Sequence, residues 1–377
     1  MPDFSRYIII SAVFAAAFLC AGAGEPPPPE TIAAVQQTDS EDDDEWKPKS
    51  YYVPVPFYKP ETGWGGSFTA AFLYKSGKSR NTPPSMMNYY MNYTQNHQNM
   101  LSFEMNHYFK NYEHYIKARI EYIKFPDKFY GVGNRTKLLD EEDFTPQTTG
   151  VWVEYYKRIS GKIFAGARAR TEHTVILSAQ AGGLLDTLDI PGSAGGLVSG
   201  VELLFQMDER DNVYFARDGG YYRLSAGIFN RVFGSDFDFS RYEADIRRYV
   251  PLNKNCSLSL QGLFVFNAGN APLNFMGLMG GDTQMRGYYK GRFRDKNMSV
   301  FQAEYKWILH ERICAVFFAG YGGVFERVDS FSTQEFKISA GGGLRFFIDP
   351  KDRLTVRLDA GVGSDGPGIY IIAGEAF

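Results

Sequence analysis

The sequence predicts an all-β fold: a transmembrane antiparallel β-barrel of about sixteen strands, with a long loop folded into the lumen. Three observations carry this expectation. Segments of about 10–13 residues alternate apolar and polar side chains, close to the span that a tilted membrane strand needs. Aromatic residues form 16% of the chain, mostly Tyr and Phe, and gather toward segment ends as an aromatic girdle requires. An export signal opens the chain, and the last alternating segment ends in Phe377.

Composition narrows the class further. The chain has 377 residues and a formal net charge of −3, which gives no bulk attraction to nucleic acid. Mean hydropathy is −0.30. No apolar run after residue 24 approaches the roughly 20 residues of a spanning helix, so a bundle of membrane helices is excluded. Abundant Tyr, Phe and Gly at low mean hydropathy suits strands that are apolar on one face only.

Residues 1–23 read as a secretory signal peptide. Arg6 supplies the positive charge, Tyr7 to Leu19 is an apolar run too short for a normal spanning helix, and Ala21-Gly22-Ala23 is a small-residue cleavage site. Cys20 is a weaker candidate for lipid attachment, because the bulky Phe18 and Leu19 precede it. Residues 24–50 hold Pro26-Pro27-Pro28-Pro29 and the acidic run Asp39-Ser40-Glu41-Asp42-Asp43-Asp44-Glu45, and predict a disordered linker. The barrel is placed at 51–377.

Within the barrel, Ile116, Ala118, Ile120 and Tyr122 oppose Lys117, Arg119 and Glu121. Phe301, Ala303, Tyr305 and Trp307 oppose Gln302, Glu304 and Lys306. Leu354, Val356, Leu358 and Ala360 oppose Arg353, Thr355, Arg357 and Asp359. In a membrane barrel the apolar row meets lipid and the charged row lines the lumen, where rows such as Lys117, Arg119 and Glu121 hydrate and pair with one another. Fifteen strands are legible, near 64–74, 86–94, 99–109, 113–123, 147–158, 161–172, 196–208, 221–233, 239–250, 255–267, 298–308, 312–325, 335–348, 353–362 and 368–377. A bacterial single-chain barrel normally has an even number. The sixteenth strand is expected inside 125–146 or 173–195. Cys256 and Cys314 fall on strands with one strand between them, about 10 Å apart and too far for a disulfide.

Residues 267–297 lack strand pattern and form a loop unusually long for a compact fold. It contains Gly280-Gly281-Asp282-Thr283-Gln284-Met285-Arg286-Gly287-Tyr288-Tyr289. Its glycines allow a sharp path, and Arg286 in a polar pocket could fix it through charge-assisted hydrogen bonds.

These stretches resemble the bacterial surface antigen family, the barrel domain of the BamA/TamA superfamily, over roughly Tyr51 to Phe377. Pro54-Val55-Pro56-Phe57-Tyr58 with Glu61-Thr62-Gly63-Trp64-Gly65 is similar to the family's entry into its first strand. Phe129-Tyr130-Gly131-Val132-Gly133-Asn134, Asp208-Glu209-Arg210-Asp211-Asn212 with Gly220-Tyr221, Met285-Arg286-Gly287-Tyr288 after Gly280-Gly281, and Gly374-Glu375-Ala376-Phe377 resemble its other motifs. The resemblance implies an outer-membrane location and a sixth loop folded into the lumen, whose Arg contacts acidic wall residues. Glu304 matches such a partner for Arg286, and Phe377 matches the C-terminal barrel signal. A second acid is usual in a Phe-x-Asp-x-Gly pattern. Here Phe318-Ala319-Gly320-Tyr321-Gly322 has Gly320 in its place, and Asp359 is a candidate substitute that the sequence does not establish. The 27 residues of 24–50 are too few for a polypeptide-transport-associated (POTRA) domain, so the chain reads as a barrel-only member.

Three functions follow from this reading. The first is a component of outer-membrane protein assembly or translocation, with outer-membrane lipids around it and periplasmic or outer-membrane assembly proteins as partners. The second is a passive channel or structural barrel. The third is a barrel hydrolase, which His97, His107, His114, His173 and His310 do not favour, because none stands in a Ser/His/Asp grouping. No catalytic, metal or cofactor motif is legible, and a non-enzymatic role is expected.

Overall fold

The computed structural model describes residues 48–76, 82–350 and 353–377. The expected signal peptide, 1–23, and residues 24–47 of the expected linker lie outside them. Sixteen antiparallel strands close into one barrel: β1 Lys49–Lys59, β2 Gly63–Tyr74, β3 Ser85–Thr94, β4 Asn99–Tyr108, β5 His114–Lys124, β6 Glu142–Ser160, β7 Ile163–Ser178 and β8 Gly195–Asp208, then β9 Gly219–Phe229, β10 Phe239–Pro251, β11 Cys256–Gly269, β12 Asn297–His310, β13 Ile313–Phe325, β14 Lys337–Asp349, β15 Leu354–Gly363 and β16 Gly366–Ala373. The wall alternates as the sequence predicts. Ile120, Leu203, Phe301 and Leu358 are exposed outward, whereas Lys117, Arg168, Glu304 and Asp359 are buried inward. Cys256 and Cys314 are free and buried, with β12 between their strands.

The sixteenth strand is β1, and not a segment within 125–146 or 173–195. It begins at Lys49, two residues before the expected barrel boundary. Pro54 and Pro56 hide it, because proline inside a run argues against a central strand. Residues 125–146 instead hold a three-residue strand, Asp127–Phe129, paired to a β6 that runs beyond the lipid-spanning length. Residues 173–195 hold the end of β7 and the one-turn helix Leu184–Thr187.

The prolines are tolerated because β1 is an edge. All eleven of its residues pair with β2, and Pro54 and Pro56 lie opposite Phe68 and Gly66. Proline has no N–H, so the neighbouring residues carry the ladder there and the prolines turn their nitrogens to β16. On that side, among the described residues, β1 and β16 share one ladder pair, Tyr58↔Ile371. The same register would set Pro56 against Ala373 and Pro54 against Glu375, where β1 offers no donor. At that point β16 stops. Gly374, at φ +84, turns the chain into the barrel, where Glu375 is partly buried and Ala376 and Phe377 are buried. Phe377 therefore lies beyond the last strand rather than ending it.

Leu203 faces outward near the middle of β8. An Arg on a lipid-facing midplane position costs about 2–4 kcal/mol. Leu203→Arg is expected to lower folding stability in lipid vesicles by that amount, read by urea titration; an unchanged midpoint would place this face away from lipid.

Candidate functional site

The loop between β11 and β12 enters the barrel from the end that carries the long connections. It is not wholly free of strand structure, since Gly277–Met279 pairs with Phe293–Asp295. Phe275 anchors its entry edge-on against the stacked rings of Phe229 and Phe239. At the tip Gly280 and Gly281 both take φ +110 and Gly287 takes φ +108, a region that an L side chain rarely adopts. A Cβ on Gly287 would lie 2.6 Å from the Val362 backbone, so the loop lies directly against β15.

Arg286 is 1% exposed. Its guanidinium bonds Glu304 of β12 and, at 2.7 Å, Asp359 of β15. It lies 3.5 Å above the centroid of the Phe318 ring. The structure thus brings Arg286 together with Glu304, and Asp359 supplies a second carboxylate. Gly320 leaves room for the loop: a Cβ there would be 2.8 Å from the Met285 sulfur and from Ser339 Oγ. The space that an Asp would occupy is filled by the residue beside Arg286.

Asp359 also accepts from Arg345 of β14 and, at 2.9 Å, from Arg357 of β15. Arg357 holds the Asp282 carbonyl at 2.8 Å and its carboxylate at 3.1 Å, and Asp282 receives Lys59 at 3.1 Å. Arg345 reaches Glu375 at 3.0 Å, Lys306 lies 3.4 Å from the same carboxylate, and Thr355 donates to it at 3.0 Å. Five cations and four carboxylates therefore share one buried network. Lys59, Asp282, Arg345, Arg357 and Glu375 have no motif that points to this role; strand phase alone places Arg357 in the lumen.

Two further motifs dock around the loop. Gly133 N–H donates to the Arg294 carbonyl at 2.8 Å, and Asn134 exchanges hydrogen bonds of 2.7 and 2.9 Å with the Val324 backbone. Arg292 bonds Asp365 and the Thr136 carbonyl, between the rings of Tyr130 and Phe293. From the opposite end, the turn 209–218 folds inward. Asn212 accepts from the Tyr214 and Phe215 N–H groups, both at 2.9 Å, and directs Phe215 onto Phe347 beneath Lys306. A cavity of about 500 Å³ remains between loop and turn, with Glu154, Arg223, Arg247, Lys290 and Phe377 in its lining.

His97, His107 and His114 hydrogen-bond Tyr93, Tyr74 and Tyr155, while His173 and His310 are exposed. Among the described residues, no group of three or more His, Cys, Asp or Glu could hold a metal ion.

Glu61, in the turn after β1, is buried and accepts the Lys290 N–H at 3.0 Å. Burial, and then the charge of Asp282, push its carboxyl up to about 7, against the attraction of Lys59. A carboxyl raised on packing favours the packed state below its ordinary value of 4.5, and that contribution is lost as pH rises through 7. Protease protection of the loop is expected to fall between about pH 4.5 and 7 and to lose that dependence in Glu61→Gln; an unaltered profile in the variant would assign the titration elsewhere. Removing one partner of a buried charge network costs about 3–5 kcal/mol. Arg286→Ala should therefore free the loop to protease and lower the temperature at which the folded band is lost on gels. Arg286→Lys, which cannot span two carboxylates with one planar fork, should fall between.

Residues 84–348 match the Omp85 superfamily domain. Among solved structures, BamA from Haemophilus ducreyi lacking POTRA domains 1–3 aligns with a TM-score of 0.61 at 11% identity, over 88% of this chain and 71% of that one. CdiB from Acinetobacter baumannii aligns at 0.57 and 11% identity, and CdiB from Escherichia coli at 0.57 and 10%. Each alignment covers 88% of this chain but only 61% and 64% of the two CdiB chains. No curated protein matches the sequence. Because the matched domain spans most of the chain and the sixteen-strand barrel agrees with it, the protein belongs to the Omp85 superfamily of outer-membrane barrels.

Proposed function

We propose that this barrel is a component of outer-membrane protein assembly or translocation, acting with partner proteins through the seam between β1 and β16. The seam is the observation that supports this reading most. Each of the two strands is well paired on its other side, yet among the described residues Tyr58↔Ile371 is the one ladder pair between them. Unpaired backbone groups facing hydrocarbon are costly, so a barrel built only to conduct would gain from closure. An opening toward lipid suits the lateral transfer of a strand or chain. The lumen favours the same role, because the loop and the turn 209–218 fill it from its two ends. Periplasmic or outer-membrane assembly proteins are the partners that such a barrel would require.

Depleting the protein should lower the levels of other outer-membrane barrels, and the native barrel should co-purify with defined partners. An unchanged outer-membrane profile after depletion would remove this reading. A second reading, a passive channel or structural barrel, is favoured by the charged cavity of about 500 Å³. It predicts steady single-channel conductance in planar bilayers, raised by deleting residues 270–295, with no change in other barrels.

A further inference from the structure

A second cavity, of about 620 Å³, lies at the end of the barrel where the lumenal loop enters. Its walls come from the β5–β6, β7–β8, β9–β10 and β13–β14 connections and from the loop itself. Backbone bonds tie these walls together. The Pro191 carbonyl accepts the Leu273 N–H at 2.8 Å, and the Asp238 carbonyl accepts the Asn270 N–H at 3.0 Å. Asp236 donates its N–H to the Leu197 carbonyl at 2.8 Å, and its carboxylate accepts the Leu197 N–H at 2.7 Å. The floor is apolar: Ile190 and Met276 are buried, Val132 and Phe237 half-buried. The rim is acidic, with Asp189, Asp236, Asp238 and Glu326 exposed. The Arg231 guanidinium stays 3.9 Å from Asp238 and Lys296 stays 4.0 Å from Glu326, beyond hydrogen-bond reach. Among the described residues, Asp189 and Asp236 pair with no cation. Below the rim, Asp295 lines the cavity although it is only 6% exposed. One of its oxygens accepts the Lys296 N–H at 2.7 Å, and among the described residues the other has no bond. Burial pushes this carboxyl up to about 6, and the charge of Glu326 adds to the rise against Lys296. A carboxylate so placed is ionised at a cost that a positive ligand would remove.

We infer that this cavity is a binding site for an aliphatic polyamine, with Asp295 holding one ammonium group and the rim acids the others. Two features select that class. The carboxylates stand on separate walls, and among the described residues no three of them come together as a metal site, so a single point cation does not satisfy them. A chain of ammonium groups does. Apolar surface lies between the acids, and methylene spacers cover it whereas a hydrated inorganic ion leaves it wet. Asp295 supplies the dry end of the site, where a charge-assisted hydrogen bond is strongest. The backbone bonds between the walls hold the cavity in shape, so little ordering is required when the ligand arrives. Its volume falls within the roughly 300–1,000 Å³ of small-molecule pockets. The site stands apart from the Arg286 network and requires nothing of the seam.

Calorimetric titration tests the site, with spermidine as probe and the whole barrel in phosphatidylcholine nanodiscs. Salt at about 0.15 M screens diffuse attraction. Spermidine should bind saturably at one site. Hexaamminecobalt(III), a compact trication without methylenes, should bind severalfold more weakly. Asp295→Asn, whose side-chain oxygen can keep the Lys296 N–H, should weaken spermidine about tenfold, as expected for one charge-assisted bond. The double variant Asp189→Asn with Glu326→Gln changes only exposed positions and should weaken it too. Asp143→Asn, at an exposed acid outside the cavity, should leave it unchanged. Only protein that keeps its folded, heat-sensitive gel band would be scored. Absence of saturable spermidine binding, equal binding of the two trications, native affinity in either cavity variant, or an equal loss in Asp143→Asn would overturn the site.

Discussion

A guanidinium taken out of water must find carboxylates, and much of the barrel interior is arranged by that requirement at Arg286. Glu304 and Asp359 neutralise it, Phe318 lies under it, and Arg345 and Arg357 return to Asp359 from neighbouring wall positions. Buried ion pairs contribute little net stability against well-packed apolar side chains, but breaking one is costly. The network acts as a register lock. Its partners come from the loop, β12, β14 and β15, so the loop fits the lumen in one position.

The same charges support a barrel whose closing pair of strands shares a short ladder. A closed barrel satisfies every backbone group by pairing each strand on both sides. Here β1 gives up part of that pairing through Pro54 and Pro56, and β16 ends where those prolines begin to face it. Side chains replace the missing ladder. Lys59, Glu61 and Tyr370 bond the loop, and Glu375 bonds the inner wall. Side-chain bonds of this kind can be exchanged one at a time, whereas a ladder separates as a unit.

Both ends of the lumen use the same economy of short motifs. Asn134 clamps the Val324 backbone beside the loop, and Asn212 sets the turn that carries Phe215 inward. Asn134 ties irregular chain to a strand backbone and Asn212 satisfies N–H groups of its own turn, so irregular chain is stable inside the barrel.

The sequence by itself determined which way the wall faces and which loop fills it. A period of two is a local property, so the inward position of Glu304 and Asp359 and the outward position of Phe301 and Leu358 could be read from neighbouring residues alone. The pairing of Arg286 with Glu304 was an expectation that came from the family resemblance of the loop motif, with strand phase turning Glu304 inward. The position of Asp359 on the inner wall was legible, but its choice as second partner was not; it depends on how the loop crosses β13, where Gly320 admits Met285. The strand at Lys49–Lys59 was hidden for a related reason. Pro54 and Pro56 argue against a strand unless one side of it is sparsely paired, and the short ladder to β16 is what leaves that side so. Tertiary structure alone decided the seam, the inward turn at Gly374 and the convergence of Lys59, Asp282, Arg357 and Glu375, because each joins residues whose separation in the chain carries no information about their distance in space.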